Sequence, residues 1–445
     1  MDERPEHGRP RTAAADRRPL YALLAGNAVS QVGNSITILA GPWFVLQTTG
    51  SAAKTGIVAA ALAIGAVIPA FFGGPLVDRL GFRRASILAD IASALLIGAV
   101  PILHLAGVLA FWHLVVLVFL LSSINAQGDT ARYALVPALA TTAGVPIERA
   151  NGLDRAAVRF GQVGGPLIGG ALIALMGASN VLFIDAGTFT TSALLILLGI
   201  PATVGVAAAA SRPREAGYGR DLREGLRAIR RAPAILSMSL VGMIGNFFDK
   251  ALLAVVLPVY ADRVYGSATS LGLLVGAFGI GALTGSLIFG AIGRTWPRRR
   301  TFLACFTLGP LVIYGTLATT PALPVAIGAA LVAGLLFGPI NPIFTTVIQA
   351  NTEEHMLGRT FGTASAVAQA GIPVGAALAG VVVQRAGLIP TIVGMGTLYI
   401  VCVFAISFRS SLRGMDDGVA PTSAGAREPD LGPTPLGTSR RADVR

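Results

Sequence analysis

Two carboxylates lie inside otherwise apolar runs: Asp249, within residues 233–260, and Asp185, within 180–203. A charge at the centre of a bilayer costs about 2.5–3.5 kcal/mol on insertion scales, so an acid there marks a proton site, a ligand contact or a buried partner. Asp249 is the first candidate for taking up and releasing a proton. Its neighbour Lys250 points about 100° away on a helix and is poorly placed to pair with it. The alternatives are a structural ion pair between Asp249 and a partner elsewhere in the chain, or a Lys250 that reaches outward. Asp185, in the segment Phe183-Ile184-Asp185-Ala186-Gly187-Thr188-Phe189, is the second candidate, and reads equally as a helix-packing or end-capping acid.

Uncharged polar residues recur at helical spacing in the same kind of run. Asn27, Gln31 and Asn34 stand at i, i+4 and i+7, flanked by Ser30 and Ser35. Asn341, Thr345 and Gln349 stand at i, i+4 and i+8, Asn125 and Asp129 at i, i+4, and Asn246 and Asp249 at i, i+3. Each series occupies one helix face. Such stripes bind a polar substrate or hydrogen-bond neighbouring helices, and periodicity leaves both open.

The elements that position these residues follow from composition. Of 445 residues, 53% are hydrophobic and 13% charged, and apolar runs long enough to span a hydrocarbon core recur from residue 19 to 408. Allowing roughly 30–35 residues for a span and its loop, the region holds about twelve spans. The expected class is an all-α membrane protein with short connections. The expected divisions are a disordered N-terminus (1–18), six spans (19–203), a linker (204–232), six more spans (233–408) and a disordered tail (409–445). In the linker, Leu222, Leu226 and Ile229 fall at helical spacing among Arg220, Arg223, Arg227, Arg230 and Arg231, which suits an amphipathic helix on an anionic membrane surface. The net charge of +12 comes from arginines placed between spans, so no nucleic-acid partner is expected. Cys305 and Cys402 both lie in apolar runs and indicate neither a disulfide framework nor a metal site. The histidines, His7, His104, His113 and His355, are scattered, so no enzymatic centre is expected. The first apolar run is too long for the core of a cleavable signal.

Arginines also set the expected orientation. Arg79, Arg83, Arg84, Arg149, the linker cluster, Arg294, Arg298, Arg299, Arg300 and Arg359 follow the even-numbered spans, whereas the opposite loops carry little more than Lys54, Arg263 and Arg385. Both termini are therefore expected in the cytoplasm, in a multi-pass plasma-membrane protein.

The loop Gly73-Gly74-Pro75-Leu76-Val77-Asp78-Arg79-Leu80-Gly81-Phe82-Arg83-Arg84 joins two apolar runs, and a weak copy, Phe289 to Arg300, stands 216 residues later. The same offset relates Gly50-Ser51-Ala52 to Gly266-Ser267-Ala268, and Pro42 to Pro258. Two halves on one plan are what a duplicated transporter leaves. The loop resembles the signature between helices 2 and 3 of the major facilitator superfamily, with Gly74, Asp78, Gly81, Arg83 and Arg84 at its defining positions. Gly161-Gln162-Val163-Gly164-Gly165-Pro166-Leu167-Ile168-Gly169-Gly170 is similar to the antiporter motif of span 5, with Gly161, Gly165, Pro166, Gly169 and Gly170 matching. Further segments, Pro42 to Leu46, Asp221 to Arg227 and Gly338-Pro339-Ile340-Asn341-Pro342, resemble the twelve-span drug:proton antiporter branch that includes macrolide, enterobactin and tetracycline/multidrug exporters.

The resemblance implies two six-helix bundles around a central cavity lined by spans 1, 4, 7 and 10, which carry the polar stripes. It implies a cytoplasmic charge network of Asp78, Asp90, Asp129, Arg83, Arg84 and Arg132 that closes one conformation. It also implies efflux of amphipathic small molecules in exchange for protons, by a monomer with no cofactor beyond the proton motive force. An importer on the same fold is the alternative.

Overall fold

The structure is a computed structural model that describes residues 16–202, 226–227, 229–353 and 356–407; for residues 68–76, 78, 79 and 294 it gives the backbone alone. The expected tail, residues 1–15, and 204–225 and 228 of the expected linker lie outside the described residues. Almost everything described is helical. The elements are α1 (Arg18–Thr49), α2 (Ala52–Leu80), α3 (Phe82–Leu105), α4 (Phe111–Thr142), α5 (Ile147–Met176), α6 (Ala178–Gly199), α7 (Pro233–Tyr265), α8 (Ala268–Ile292), α9 (Arg298–Ala318), α10 (Leu323–Ala350), α11 (Leu357–Ala386) and α12 (Leu388–Ser407). Helices α3 to α12 are each long and apolar enough to cross a membrane. Helix α1, with Asn27, Gln31 and Asn34 along it, falls outside that set, and the apolar part of α2 runs over Ala52–Val67. Outward-facing Leu95, Leu175 and Leu198 are 70%, 82% and 82% exposed. Large apolar side chains left bare in this way fit a hydrocarbon surround better than water.

Helix ends follow local chemistry, and they repeat. Gly50 stops α1 at φ +64 with its N–H on the Leu46 carbonyl, and Gly266 stops α7 at φ +63 with its N–H on the Asp262 carbonyl. Only glycine enters this left-handed region freely. The next residue but zero, Ser51 or Ser267, then caps the following helix by accepting from Lys54 N (3.3 Å) or Thr269 N (3.2 Å). Three helices are interrupted. Helix α7 contains π-helical turns at Leu252–Val256 and Ala261–Tyr265, α10 is broken at Gly338-Pro339, and α11 at Ala370-Gly371.

Helices α1 to α6 pack mainly on one another, as do α7 to α12; α2 against α11 and α5 against α8 join the two groups. Both junctions depend on glycine. A Cβ at Gly56 would lie 2.5 Å from the Ala376 carbonyl oxygen and 3.0 Å from Gly380 Cα; one at Gly272 would lie 2.7 Å from the Pro166 carbonyl oxygen and 2.9 Å from Gly170 Cα. Gly56 and Gly272 are 216 residues apart, so the two junctions are copies of one contact. Gln47 Nε2 also donates to Asp262 Oδ1 at 2.8 Å, and Ala52 N donates to Gln384 Oε1 at 3.0 Å.

These contacts all sit at the end of the molecule marked by Ser51 and Ser267. One apolar cluster is continuous between the halves there, taking in Trp43, Phe44 and Ala52 with Val255, Val256 and Tyr260. Towards the opposite end lie two further clusters, each confined to one half. Leu20, Leu23, Phe82, Leu135 and Ile196 belong to one, and Ile229, Ile235, Ile348 and Ala364 to the other. The halves are closed on each other at one end.

Overpacking this contact should open it, at a cost of about 1–3 kcal/mol per added side chain. With Cys305 and Cys402 replaced by alanine, Gln47→Cys with Asp262→Cys should form an oxidative cross-link readily. Adding Gly56→Val should reduce its yield several-fold on a non-reducing gel. An unchanged yield would mean that the α2–α11 contact does not hold this end shut.

Candidate functional site

The polar stripe of α1 is spent on its neighbours. Asn27 Nδ2 donates to Asp154 Oδ1 at 2.7 Å, Gln31 Nε2 to Asp129 Oδ1 at 3.1 Å, and Asn34 Oδ1 accepts from Asn125 Nδ2 at 3.2 Å. Three carboxamides on one face thus tie α1 to α4 and α5, and Asn27, Asn125 and Asp154 are buried. Of the two readings left open by periodicity, helix-to-helix bonding is the one the geometry carries for α1. Asp154 is absent from the sequence-based set. It stands seven residues before Gly161 and eleven before Gly165, on the face of α5 that packs against α1, and extending that glycine face by two turns finds it.

In the second half, Asn246 Nδ2 donates to the Ala368 carbonyl at 2.9 Å, across to α11. On α10, Asn341 and Gln349 are exposed and Thr345 is half-buried, with no hydrogen-bond partner among the described residues. The α10 stripe therefore keeps the free donors and acceptors that the α1 stripe has used.

Of the expected charge network, three members meet. Arg132, 2% exposed, donates through Nη1 to Asp90 Oδ1 and through Nη2 to Asp129 Oδ1, each at 2.7 Å. Ser192 Oγ of α6 donates to the second oxygen of Asp90, also at 2.7 Å. The Asp129 side chain is 43% exposed and is the open end of this chain of contacts. Arg83 goes elsewhere: Nε and Nη2 donate to the Ile200 and Leu197 carbonyls, each at 2.7 Å. It caps the C-terminus of α6, where unpaired carbonyls and the helix dipole both favour a cation. Arg84 is exposed, and Gly81 turns the chain at φ +79 between α2 and α3. Gly74 and Asp78 belong to the residues described by backbone alone. Among the members whose side chains are described, the expected shell is a three-residue core plus a helix cap.

The glycines of the α5 motif divide between two partners. Gly161 and Gly165 admit α1, a Cβ at Gly161 lying 2.9 Å from the Gln31 carbonyl carbon, and Gly169 packs on Ile36. Gly170 meets Gly272 of α8, and Pro166 offers its carbonyl to the same glycine. The motif joins α5 to its own half along most of its length and to the other half at one end.

Asp249 faces α9 and α12. Tyr399 Oη donates to Asp249 Oδ2 at 3.0 Å, and Tyr314 Oη donates to the adjoining Phe248 carbonyl at 3.0 Å. The Phe248 and Tyr399 rings stack with centroids 5.1 Å apart. Lys250 is exposed and turned away. Phe248 also helps to line an apolar cavity of about 230 Å³, with Met243, Ile244, Phe247, Gly371 and Cys402. Asp185 is fully buried against α1: Thr37 Oγ1 donates to its Oδ2, and Thr188 Oγ1 to its Oδ1 at 3.0 Å. Sequence reasoning named both acids but neither of their distant hydroxyl partners, Tyr399 and Thr37. Tyr399 lies 150 residues from Asp249 and Thr37 148 from Asp185, and no local pattern connects them.

A helical body with polar residues bonded across helices and a contact at one end is the architecture of a carrier. The sequence profile of the transmembrane secretion effector family matches residues 16–433. The chain belongs to this family, within the major facilitator superfamily. It is 34% identical over 405 residues to the multidrug efflux pump Tap of Mycolicibacterium fortuitum, covering 90% of this chain and 98% of Tap. It is 31% identical over 254 residues to the enterobactin exporter EntS of Shigella dysenteriae, covering 57% and 58%. Among solved structures, a bacterial Spinster homologue in an inward-facing, unoccupied conformation superposes with a TM-score of 0.70 at 15% identity, covering 92% of this chain and all of that one. The nucleoside transporter NupG gives 0.70 at 14% identity, covering 87% and 98%. Those two likenesses show the fold alone. The chain is a multi-pass membrane transporter of an efflux family, and its fold and family point away from an enzyme.

The Arg132 cluster generates a stability prediction. Removing one partner of a buried ion pair leaves uncompensated charge and costs about 3–5 kcal/mol. Arg132→Met should therefore lower the thermal unfolding temperature of the purified transporter sharply, and adding Asp90→Asn should restore part of it. Equal stability of Arg132→Met and the parent would show that the cluster does not hold α3 to α4.

Proposed function

We propose that this transporter is a proton-coupled exporter of amphipathic small molecules. In this reading α1 to α12 all cross the plasma membrane, in two six-helix halves (19–203 and 233–408) with both termini cytoplasmic. It works as a monomer by alternating access, with the proton motive force in place of a cofactor and no nucleic-acid partner.

The observation that carries this reading is the one-ended contact between halves. Arg83, Arg84, Arg149, Arg298, Arg299, Arg300 and Arg359 all lie towards the end where the halves have separate cores. Under the positive-inside rule that end is cytoplasmic, so the described state is open to the compartment from which an exporter loads. The similarity to Tap, a multidrug efflux pump, and to EntS, an enterobactin exporter, supports the same direction.

Loading would occur between the α10 stripe of Asn341, Thr345 and Gln349 and the α1–α4 face where Gln31 and Asp129 are partly exposed. The Asp90–Arg132–Asp129 contacts and the cap formed by Arg83 keep the first half rigid while its relation to the second changes. Asp249 exchanges the proton. A potential of 100 mV contributes about 2.3 kcal/mol per charge, and one pH unit about 1.4 kcal/mol. Tight coupling to one proton therefore supports a concentration ratio of several hundredfold.

Inside-out vesicles acidified by respiration, challenged with a panel of antibiotics and siderophores, give the direct test. A fall in the pH gradient that depends on both compound and transporter is expected, and Asp249→Asn should bind the active compound yet abolish the response. Unchanged proton-driven transport by Asp249→Asn would sink the assignment of that residue. Uptake of a panel compound with protons, in place of exchange, would favour an importer.

A further inference from the structure

Asp249 and Asp185 occupy matching places in the two halves, although they come from different helices. Asp185, on α6, packs against α1 at Gly33, where a Cβ would run into its carboxylate. Asp249 stands 216 residues after Gly33, the offset of the internal repeat, and faces α12, the counterpart of α6. Each half therefore holds one carboxyl group between its first and last helices, Asp185 fully buried and Asp249 half-buried. In one half the last helix supplies it, in the other the first.

Among the described residues the side-chain partners of these two acids are hydroxyls alone, which sets them apart. Asp90 is held by Arg132 and the Ser192 hydroxyl, and Asp129 by Arg132 and the Gln31 carboxamide; a guanidinium has donors only. A proton on the oxygen that faces it would set donor against donor. Asp154 is held by the buried carboxamide of Asn27, which must rotate by half a turn to accept. Asp185 and Asp249 are held by hydroxyls, from Thr37 and Thr188 and from Tyr399. A hydroxyl donates to a carboxylate and accepts from a carboxylic acid by turning one O–H bond. Both acids can therefore gain or lose a proton without leaving a buried group unsatisfied.

Among the described residues neither acid forms an ion pair, and the one cation whose charge reaches either is Lys250, the exposed chain neighbour of Asp249. From α1, Gly33 and Thr37 face Asp185. From α3, Gly98 packs on the adjoining Ala186, while Asp90 bonds Ser192, two turns along α6. The charged residues of α5, from Glu148 to Arg159, lie in its first half, at the far end from Asp185. Around Asp249 stand Tyr399 of α12 and Tyr314 of α9. The charged residues of α11, Arg359 and Arg385, sit towards its ends, and Lys250 points outward.

We infer that Asp185, with Thr37 and Thr188, is a second proton-binding site, the repeat-related counterpart of Asp249–Tyr399, and that one transport cycle exchanges two protons. This rests on the exporter reading above. Each site changes protonation by transfer to or from water, with no other bond made or broken. Two protons for a neutral substrate make each cycle move two charges inward, which squares the concentration ratio attainable with one.

Infrared difference spectroscopy on the transporter reconstituted in lipid, taken between acid and alkaline buffer, reads carboxylic acids by their C=O stretch. Two bands are expected, one lost in Asp249→Asn, the other in Asp185→Asn, and both in the double variant. Thr37→Val, which keeps the carboxyl, should shift the second band in frequency without removing it, and it decides the matter if Asp185→Asn does not fold. A single band, lost only in Asp249→Asn and unmoved by Thr37→Val, would overturn the second site and leave the exporter reading intact. Absence of both bands would remove Asp249 as the coupling acid as well.

Discussion

Backbone-to-backbone approach at two pairs of glycines is what the assembled molecule depends on. Gly56 with Gly380, and Gly170 with Gly272, let α2 meet α11 and α5 meet α8 with no side chain between them. Between membrane helices the hydrophobic effect gives little attraction, because lipid is as apolar as leucine, and close packing of small residues replaces it. A contact of this kind is short-range and all-or-none. It can hold two large halves together at one end while leaving them free to separate, since no long side chains have to be disentangled.

Within each half the rule is different. Polar groups in hydrocarbon need partners, and the chain supplies them across helices. Asn27, Gln31 and Asn34 fasten α1 to α4 and α5; Asp90, Arg132 and Ser192 fasten α3, α4 and α6; Asn246 fastens α7 to α11. These bonds make each half a stiff body. Braced halves joined by a small-residue seam suit the alternating-access cycle proposed above.

Much of this was legible beforehand, for identifiable reasons. Apolar runs mark helices by length alone, and the 216-residue repeat is visible because Gly50-Ser51-Ala52 and Gly266-Ser267-Ala268 both serve as a helix stop followed by a cap. The α1 stripe was readable as a stripe because 3.6-residue periodicity is local. Its partners were not, because Asp154 and Asp129 are brought to it by packing from 127 and 98 residues away. Arg83 misled for another reason. Its partners are main-chain carbonyls at the end of α6, and a carbonyl has no signature in a sequence. Tyr399 and Thr37 were missed because a hydroxyl in an apolar run is too common to single out until a carboxylate is found opposite it.

The π-helical turns of α7 carry a mechanical consequence. Such a turn holds about one residue more than an α-helical turn, so its backbone hydrogen bonds can re-register by one position without the rod breaking. One residue of re-registration swings everything beyond it by about 100°. Asp249 stands before the first of these turns, whereas Tyr260 and Asp262, which touch the other half, stand beyond it. A shift of register there would leave the Asp249 length of α7 keyed to Tyr399 while the length that carries Asp262 turned against α1.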